Sequence, residues 1–484
     1  VPEGLPLMVT LVLSSNMKRM LKDNVLVRRL IGIETSGNIN CLLTDKTGTL
    51  TEGNLKVTSF ITPLNRKITN LNTLSPKLQM EIANNLYYNN SSFYNSDNEI
   101  TGGNQTDKAI LKYIKKPASQ QQIISKKLFD SKDKYSSVTL DNGITYYKGA
   151  KEVLLDKCLY YLDNNGNRQV LHNKEIISKN IDNEAKTGSR IIFLTCQDKH
   201  SNFHTYLGYL IIKDTVRSTT IPSINILHQA GINVIMITGD NIDTATSIAK
   251  ETGIITGKND LALTSKEFNN LSDEEISTLY SRIKVIARSL PKDKSRMVKI
   301  LQNMDLIVGM TGDGINDAGA LKTADVGFAM GSGTEVAKEA SDIIILDDNI
   351  KSITKAILFG RTIFKSIRKF IIFQLTVNIC AMLMAILGPI FDITTPVTVI
   401  QMLWINMIMD TLAGIAFASE PPLLEYMLEP PKTKAIPIIN SYMFKEILFT
   451  GLYTSFLGIF FLKSNFIYNF IRYSSDYRYL YTAY

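Results

Sequence analysis

"INCLLTDKTGTLTEG" (residues 39–53) decides how this 484-residue chain is read. Cys41, Leu42 and Leu43 form a short apolar run, the pattern of a strand covered on both faces. The run ends at Asp45, and Lys46, Thr47, Gly48 and Thr49 follow as a polar turn of mostly small residues. A carboxylate at the carboxyl end of a buried strand, beside small residues that let backbone amides approach an anion, is placed for phosphate chemistry. It can attack a phosphoryl group and become an aspartyl-phosphate. That reaction needs a cation on the transferred group, a metal ion, and further carboxylates to hold the metal.

The rest of the chain supplies candidates at matching positions. "INVIMITGD" (232–240) ends a strand-like run at Thr238, Gly239 and Asp240, which offer a hydroxyl, an amide and a carboxylate. "ARSLPKDKSRMV" (287–298) offers Lys294 as the cation. "LIVGMTGDGIND" (306–317) offers Asp313, Asn316 and Asp317, hard oxygen ligands suited to Mg2+. A lone Thr-Gly-Asp is usually a strand–turn–helix cap, and a lone lysine is usually solvated. All four segments in order, on alternating strands and helices, predict a parallel sheet with its loops gathered at one edge.

Composition narrows the partners. Lys and Arg number 53 against 45 Asp and Glu, a formal charge of +8, but the cations are scattered rather than striped, which argues against nucleic acid. Cys41, Cys158, Cys196 and Cys380 show no zinc-like spacing and read as reduced thiols in a cytosolic setting. The chain is too long for one core. Its middle is polar, and its Asn-rich run "NNLYYNNSSFYNSDNE" (84–99) reads as a loose segment.

Both ends are apolar. "FIIFQLTVNICAMLMAILGPI" (370–390) and "VTVIQMLWINMIMDTLAGIAF" (397–417) are long enough to cross a hydrocarbon core of ~30 Å, and "EILFTGLYTSFLGIFFL" (446–462) is a shorter third candidate. Lys351, Lys355, Arg361, Lys365, Arg368 and Lys369 precede the first span and place that end in the cytosol; a solvated helix face is the plainer alternative. Asn406 and Asp410 are four apart, so they share a helix face at membrane depth, where a carboxylate is costly and points to function. Asn378 is the candidate ligand of the first span. "VPEGLPLMVTLVLSS" (1–15) sets Glu3 between Pro2 and Pro6, and a proline-broken helix frees carbonyls that can join a carboxylate in an oxygen cage for a hard cation.

"CLLTDKTGTLTEG", "MITGDN", "ARSLPKDK" and "GMTGDGINDAGALKTADVGFAMGSGTEVAKEASDIIILDDN" resemble the haloacid-dehalogenase-type phosphorylation domain in the form used by P-type cation-transporting ATPases. The resemblance implies an α/β doubly wound parallel sheet, an inserted α+β nucleotide-binding domain, and α-helical transmembrane segments. It divides the chain into 1–20 (part of a fourth transmembrane helix), 21–60 and 212–348 (phosphorylation domain), and 61–211 (nucleotide-binding domain). The fifth, sixth and seventh membrane helices then fall at 349–390 with its stalk, 397–417 and 443–463.

It further implies that Asp45 is phosphorylated by ATP, with Lys46, Thr238, Gly239, Asp240, Lys294 and Asn316 around it. Mg2+ would be held by Asp45, Asp313, Asp317 and the Thr47 carbonyl. Soluble members usually carry an aspartate where Thr47 stands, and a threonine suits an intermediate that persists. "GNQTDKAIL" gives Asp107 as the acidic residue near adenine; "FDSKDKYSSV" gives Phe129 and Lys134; "YKGAKEVLLDKC" gives Lys148 and Gly149; "TGSRIIFLTC" gives Arg190. "KDTVR" (213–217) departs from the family's Asp-Pro-x-Arg at Thr215, and Gly319 stands where proline is common.

Glu3, Asn378, Asn406 and Asp410 resemble the single calcium site of plasma-membrane-type calcium ATPases, and Ala381 stands where two-site pumps carry a glutamate. About one Ca2+ per cycle is the expectation, with H+ as the family's usual counter-ion, in a multi-pass protein of the plasma membrane. The family's actuator domain, three earlier spans and several later ones have no counterpart here, so the chain reads as a fragment that needs those segments for transport. Mn2+ as cargo, a membrane-anchored phosphatase and a non-catalytic scaffold remain the alternatives.

Overall fold

The computed structural model describes residues 4–114, 121–199, 201–393, 395–432 and 439–464, without the side chains of Leu5, Leu7 and Asp410. The chain forms two compact units, one of Val1–Leu43, Asn225–Val234 and Pro291–Tyr484, the other of Thr44–Ile224 and Ile235–Leu290.

An eight-stranded sheet is built from β1 (Val25–Val27), β2 (Cys41–Thr44), β3 (Asn233–Ile237), β4 (Leu261–Thr264), β5 (Ile283–Ala287), β6 (Val308–Gly312), β7 (Val326–Met330) and β8 (Ile343–Ile345). The strand order is β1-β8-β7-β6-β2-β3-β5-β4. β1 pairs antiparallel with β8, while β8–β7, β7–β6, β6–β2, β3–β5 and β5–β4 are parallel. β2, β6, β7 and β8 are buried throughout, as a sheet covered on both faces requires. Leu43 of β2 lies beside Met310 of β6 in parallel register. The chain therefore leaves β2 and β6 at the same edge of the sheet.

The second unit carries a nine-stranded, mostly antiparallel sheet. Thr51–Ile61 leads into it and His204–Val216 returns from it, the two paired antiparallel from Tyr209–Ile61 to Val216–Thr51. Apolar clusters lie around Leu78, Ile82, Leu86, Ile110 and Tyr146, and around Leu154, Ile181, Phe193 and Tyr206. The Asn-rich run is a correction to the sequence reading. It forms the end of the helix Pro76–Tyr88 and a hairpin of Ser92–Tyr94 with Ile100–Gly102, and Asn84, Asn85, Asn89 and Asn90 are buried. Asn85 Nδ2 donates to the carbonyls of Tyr147 (3.0 Å) and Thr195 (3.1 Å), and Asn89 Nδ2 donates to that of Ser136 (3.1 Å). Composition alone could not distinguish amides that solvate a loop from amides that fasten a helix to a sheet.

His204, its ring tilted against that of Tyr147 with centroids 4.4 Å apart and hydrogen-bonded at Nδ1 to Thr195 Oγ1 (3.1 Å), is pushed down to about 4 by burial and by Lys157. Between that value and the ordinary ~6.5, the unfolded chain binds the proton and the folded one does not, so stability falls as pH falls through this window. His204→Gln is expected to flatten that limb of a stability–pH profile by about 2–3 kcal/mol; an unchanged acid limb counts against the assignment.

In the first unit, Ile350–Leu387, Val399–Ala418 and Ser441–Lys463 are long and apolar enough to cross a membrane, with mean hydropathy of 2.3, 1.5 and 1.3 over their best windows. The second widens into a π-type turn at Ile405–Met409, a feature common at functional sites. The helix Ile350–Leu387 is continuous from the cytosolic side into the first span. Near its start it meets the loop after Leu30–Ser36 backbone to backbone: a Cβ on Gly360 would lie 2.4 Å from the Gly37 nitrogen and 2.5 Å from the Ile33 carbonyl oxygen. No larger residue fits that crossing. Arg361 is not on a solvated face, as the plainer reading of the basic run had it. It is buried, and its guanidinium donates to the carbonyls of Gly37 (3.1 Å), Ala230 (3.0 Å), Tyr426 (2.8 Å) and Glu429 (2.7 Å).

Candidate active site and nucleotide pocket

Asp45 follows β2 in an extended conformation, and its Oδ1 accepts from the Lys46 amide at 2.6 Å. The chain then turns tightly through Lys46–Leu50, with Thr47 extended and Gly48 at φ 75°, a left-handed position that favours glycine. The segment 213–217 holds this turn. Arg217 donates from Nη2 to the Gly48 carbonyl and from Nε to the Thr51 carbonyl, each at 3.1 Å, and the Thr51 hydroxyl donates to Asp214 Oδ2 at 2.6 Å. Burial pushes the Asp214 carboxyl up, against the opposing pull of that hydroxyl and the Lys46 ammonium. Thr215 puts a buried hydroxyl without a hydrogen-bond partner among the described residues where the family has proline. The ion pair of Lys46 Nζ with Asp240 Oδ2 fixes a second pair of named residues. Thr238 is buried and accepts from the Asp240 amide (3.3 Å), whereas a Cβ on Gly239 would meet only open space, so an anion can approach its backbone.

In the first unit, Lys294 Nζ and Asp317 Oδ1 form an ion pair at 2.7 Å, 6% and 3% exposed respectively. Asp317 Oδ2 accepts from the amides of Asp313 and Gly314, each at 3.2 Å, which curls the loop after β6 round the carboxylate. Asn316 is exposed. Asp313 and Asp317 bring two carboxylates into one loop, and carboxylate oxygens suit a hard divalent cation. Both Asp317 oxygens are engaged by protein donors.

The six residues assigned to the nucleotide, Asp107, Phe129, Lys134, Lys148, Gly149 and Arg190, line one cavity of about 520 Å³. Asn104, Thr106, Ile110, Ser136, Ala150, Ile191 and Ile192 complete its wall and were not singled out by sequence. Lys148 Nζ pairs with Asp107 Oδ1, while Asp107 Oδ2 accepts from the Ser91 amide (3.0 Å) and the Ser91 hydroxyl. Burial pushes the Asp107 carboxyl up, but Lys148 and Ser91 outweigh it and hold it below the usual carboxylate range; burial holds Lys148 below the ordinary lysine value. Arg190, which lines the cavity, donates from Nη1 to Thr106 Oγ1. Phe129 is 56% exposed, an aromatic face available for stacking.

Of the proposed ion ligands, Glu3 lies outside the described residues, and Asp410 opens the helix Asp410–Ala418 with its side chain undescribed. Asn378 is half-buried on Ile350–Leu387. Asn406 lies in the π-type turn, with its Oδ1 buried and without a hydrogen-bond partner among the described residues.

Residues 39–325 match the haloacid dehalogenase-like hydrolase model, and residues 394–478 match the C-terminal model of cation-transporting ATPases. The chain belongs to the haloacid dehalogenase-like hydrolase family. Within it, the chain is related to the P-type ATPases, plasma-membrane calcium ATPases among them. It is 37% identical over 490 residues to the putative plasma-membrane-type calcium-transporting ATPase 13 of Arabidopsis thaliana, covering 94% of this chain and 48% of that protein. It is 39% identical over 503 residues to plasma membrane calcium-transporting ATPase 4 of Homo sapiens, covering 93% and 40%. The chain thus spans less than half the length of these relatives.

Proposed function

We propose that the protein carrying this chain is an ATP-driven calcium pump of the plasma membrane that moves about one Ca2+ per cycle through an aspartyl-phosphate at Asp45. The observation that carries this reading is Asp45 at the end of β2, on a turn braced by Asp214 and Arg217. An Asp45 oxygen bonds to the γ-phosphorus of ATP as the bond to the β,γ-bridging oxygen breaks and ADP leaves. The Thr238 hydroxyl, the Gly239 amide and Lys294 stabilise the charge on the transferred group, and Asn316 lines the site. Asp45 and Asp313, with the Thr47 carbonyl and Asp317, would hold Mg2+, which supplies charge neutralisation on the phosphoryl oxygens. Phe129 stacks on the base, Asp107, Lys148 and Gly149 shape its pocket, and Lys134 and Arg190 face the phosphates. Glu3, Asn378, Asn406 and Asp410 hold the cargo ion, with H+ carried in return.

The test uses the full protein in vesicles with labelled ATP. An acid-stable, hydroxylamine-labile phosphoenzyme that requires Ca2+ and is absent in Asp45→Asn is expected. Phosphoenzyme that forms regardless of Ca2+ but requires Mn2+ replaces the cargo assignment, and rapid hydrolysis of small phosphate esters without a stable phosphoenzyme replaces pump with phosphatase.

A further inference from the structure

The 520 Å³ cavity of the second unit has a neighbour. A second cavity, of about 210 Å³, shares Asn104, Asp107, Phe129 and Ser136 with it. Three of these four have a use within the site. Phe129 offers an exposed ring, Asp107 pairs with Lys148, and Asn104 caps the helix Gln105–Tyr113 by accepting from the Asp107 amide at 2.8 Å. Ser136 is the fourth. It lies on the strand Tyr135–Leu140, where residues 136, 138 and 140 alternate toward the buried side. Val138 and Leu140 join an apolar cluster, and Ser136, 5% exposed, ends the same row beside the two cavities.

The backbone of Ser136 is satisfied, its carbonyl accepting from Asn89 Nδ2 at 3.1 Å. Its Oγ is not: the atom is buried and has no hydrogen-bond partner among the described residues. A buried, unpaired hydroxyl is costly, and an alanine there would avoid the cost, so the group calls for a partner from outside the chain. The neighbours say what kind. Ser136 stands directly opposite Lys148 in antiparallel register, which sets their Cβ atoms about 5 Å apart. An ammonium only donates, whereas a hydroxyl can accept. The charge of Asp107, beside both cavities, favours a donor such as an amino group over a carbonyl. Adenine presents that combination, a 6-amino donor next to ring-nitrogen acceptors.

We propose that Ser136 is the base-selecting residue of this pocket, its Oγ accepting a hydrogen bond from the 6-amino group of adenine. It thereby selects adenine over purines with an oxo group or a hydrogen at that position. The assignment rests on the reading of the cavity as a nucleotide pocket, and it is independent of the ion transported.

The test pairs a change in the protein with a change in the base. Thermal midpoints of the full protein are titrated with ADP, with purine riboside diphosphate, which lacks the 6-amino group, and with GDP; diphosphates avoid turnover. Wild type is expected to bind ADP about tenfold more tightly than purine riboside diphosphate. Ser136→Ala is expected to keep the unligated midpoint, to lose about tenfold in ADP affinity, and to bind purine riboside diphosphate as wild type does. Ser136→Thr, which keeps the hydroxyl, is expected to retain part of the preference. An undiminished preference for ADP in Ser136→Ala overturns the assignment. So does an equal loss for both ligands or a lowered unligated midpoint, either of which would make Ser136 structural. A larger loss for GDP than for ADP also overturns it, since the hydroxyl would then donate to an oxo group. Each of these results leaves the nucleotide pocket standing. Failure of ADP to raise the wild-type midpoint overturns the pocket itself, and this assignment with it.

Discussion

Lys294→Met is expected to abolish phosphoenzyme formation and to lower folding stability by about 3–5 kcal/mol. The reason lies in its partner. Asp317 is 3% exposed, and without the ammonium at 2.7 Å its charge is left in the interior with only two long amide bonds. Removing one member of a buried pair is far more damaging than removing both, because the remaining charge stays desolvated. Lys294→Met/Asp317→Asn is therefore expected to recover most of the stability while remaining unable to phosphorylate. Denaturant midpoints and labelled-ATP incorporation on the same preparations separate the two effects. A single variant that is unstable yet phosphorylates at the wild-type rate would make Lys294 a structural residue only.

Lys148→Met is expected to cost a similar ~3–5 kcal/mol and to weaken ATP binding by about a hundredfold. The Asp107–Lys148 pair is buried within the pocket wall, so its loss disturbs both the domain and the surface the base would meet. Phe129→Ala provides the contrast. Its ring is already 56% exposed, so stability should hardly change while ATP affinity falls about tenfold through lost stacking. The ATP-induced rise in thermal midpoint measures both variants. Equal midpoint rises in wild type and Phe129→Ala would remove the nucleotide from this cavity.

Much of the proposed phosphorylation site is legible in the chain because its chemistry is local. Asp45, Thr47 and Gly48 are consecutive or nearly so, and a strand followed by a small-residue turn says where they face. The sheet followed from the same logic, since buried parallel strands are near-continuous apolar runs. The cavity proposed for the nucleotide was legible as a set of residues but not as an arrangement. Nothing in the spacing of Asp107 and Lys148 announces that they touch; the helix Gln105–Tyr113 and the strand Ile144–Gly149 must first pack on one sheet. Thr106, Ser91, Ile191 and Ile192 were silent for the same reason. The Asn-rich run misled because an amide has equal uses in water and against a strand edge. Arg361 misled because a run of cations near a span has a topological explanation that conceals one buried member.

The close crossing of Gly37 with Gly360 makes the helix Ile350–Leu387 a lever. The contact acts as its fulcrum, because two glycine backbones in touch leave no compliant side chain between them. Asn378 lies 18 residues further along the same unbroken helix, about 27 Å away at the standard rise. A tilt of about 5° at the fulcrum would carry Asn378 by roughly 2 Å, a distance comparable to a cation–oxygen bond. Sub-ångström rearrangement near Gly37 would thus be magnified at membrane depth by the arithmetic of a rigid rod.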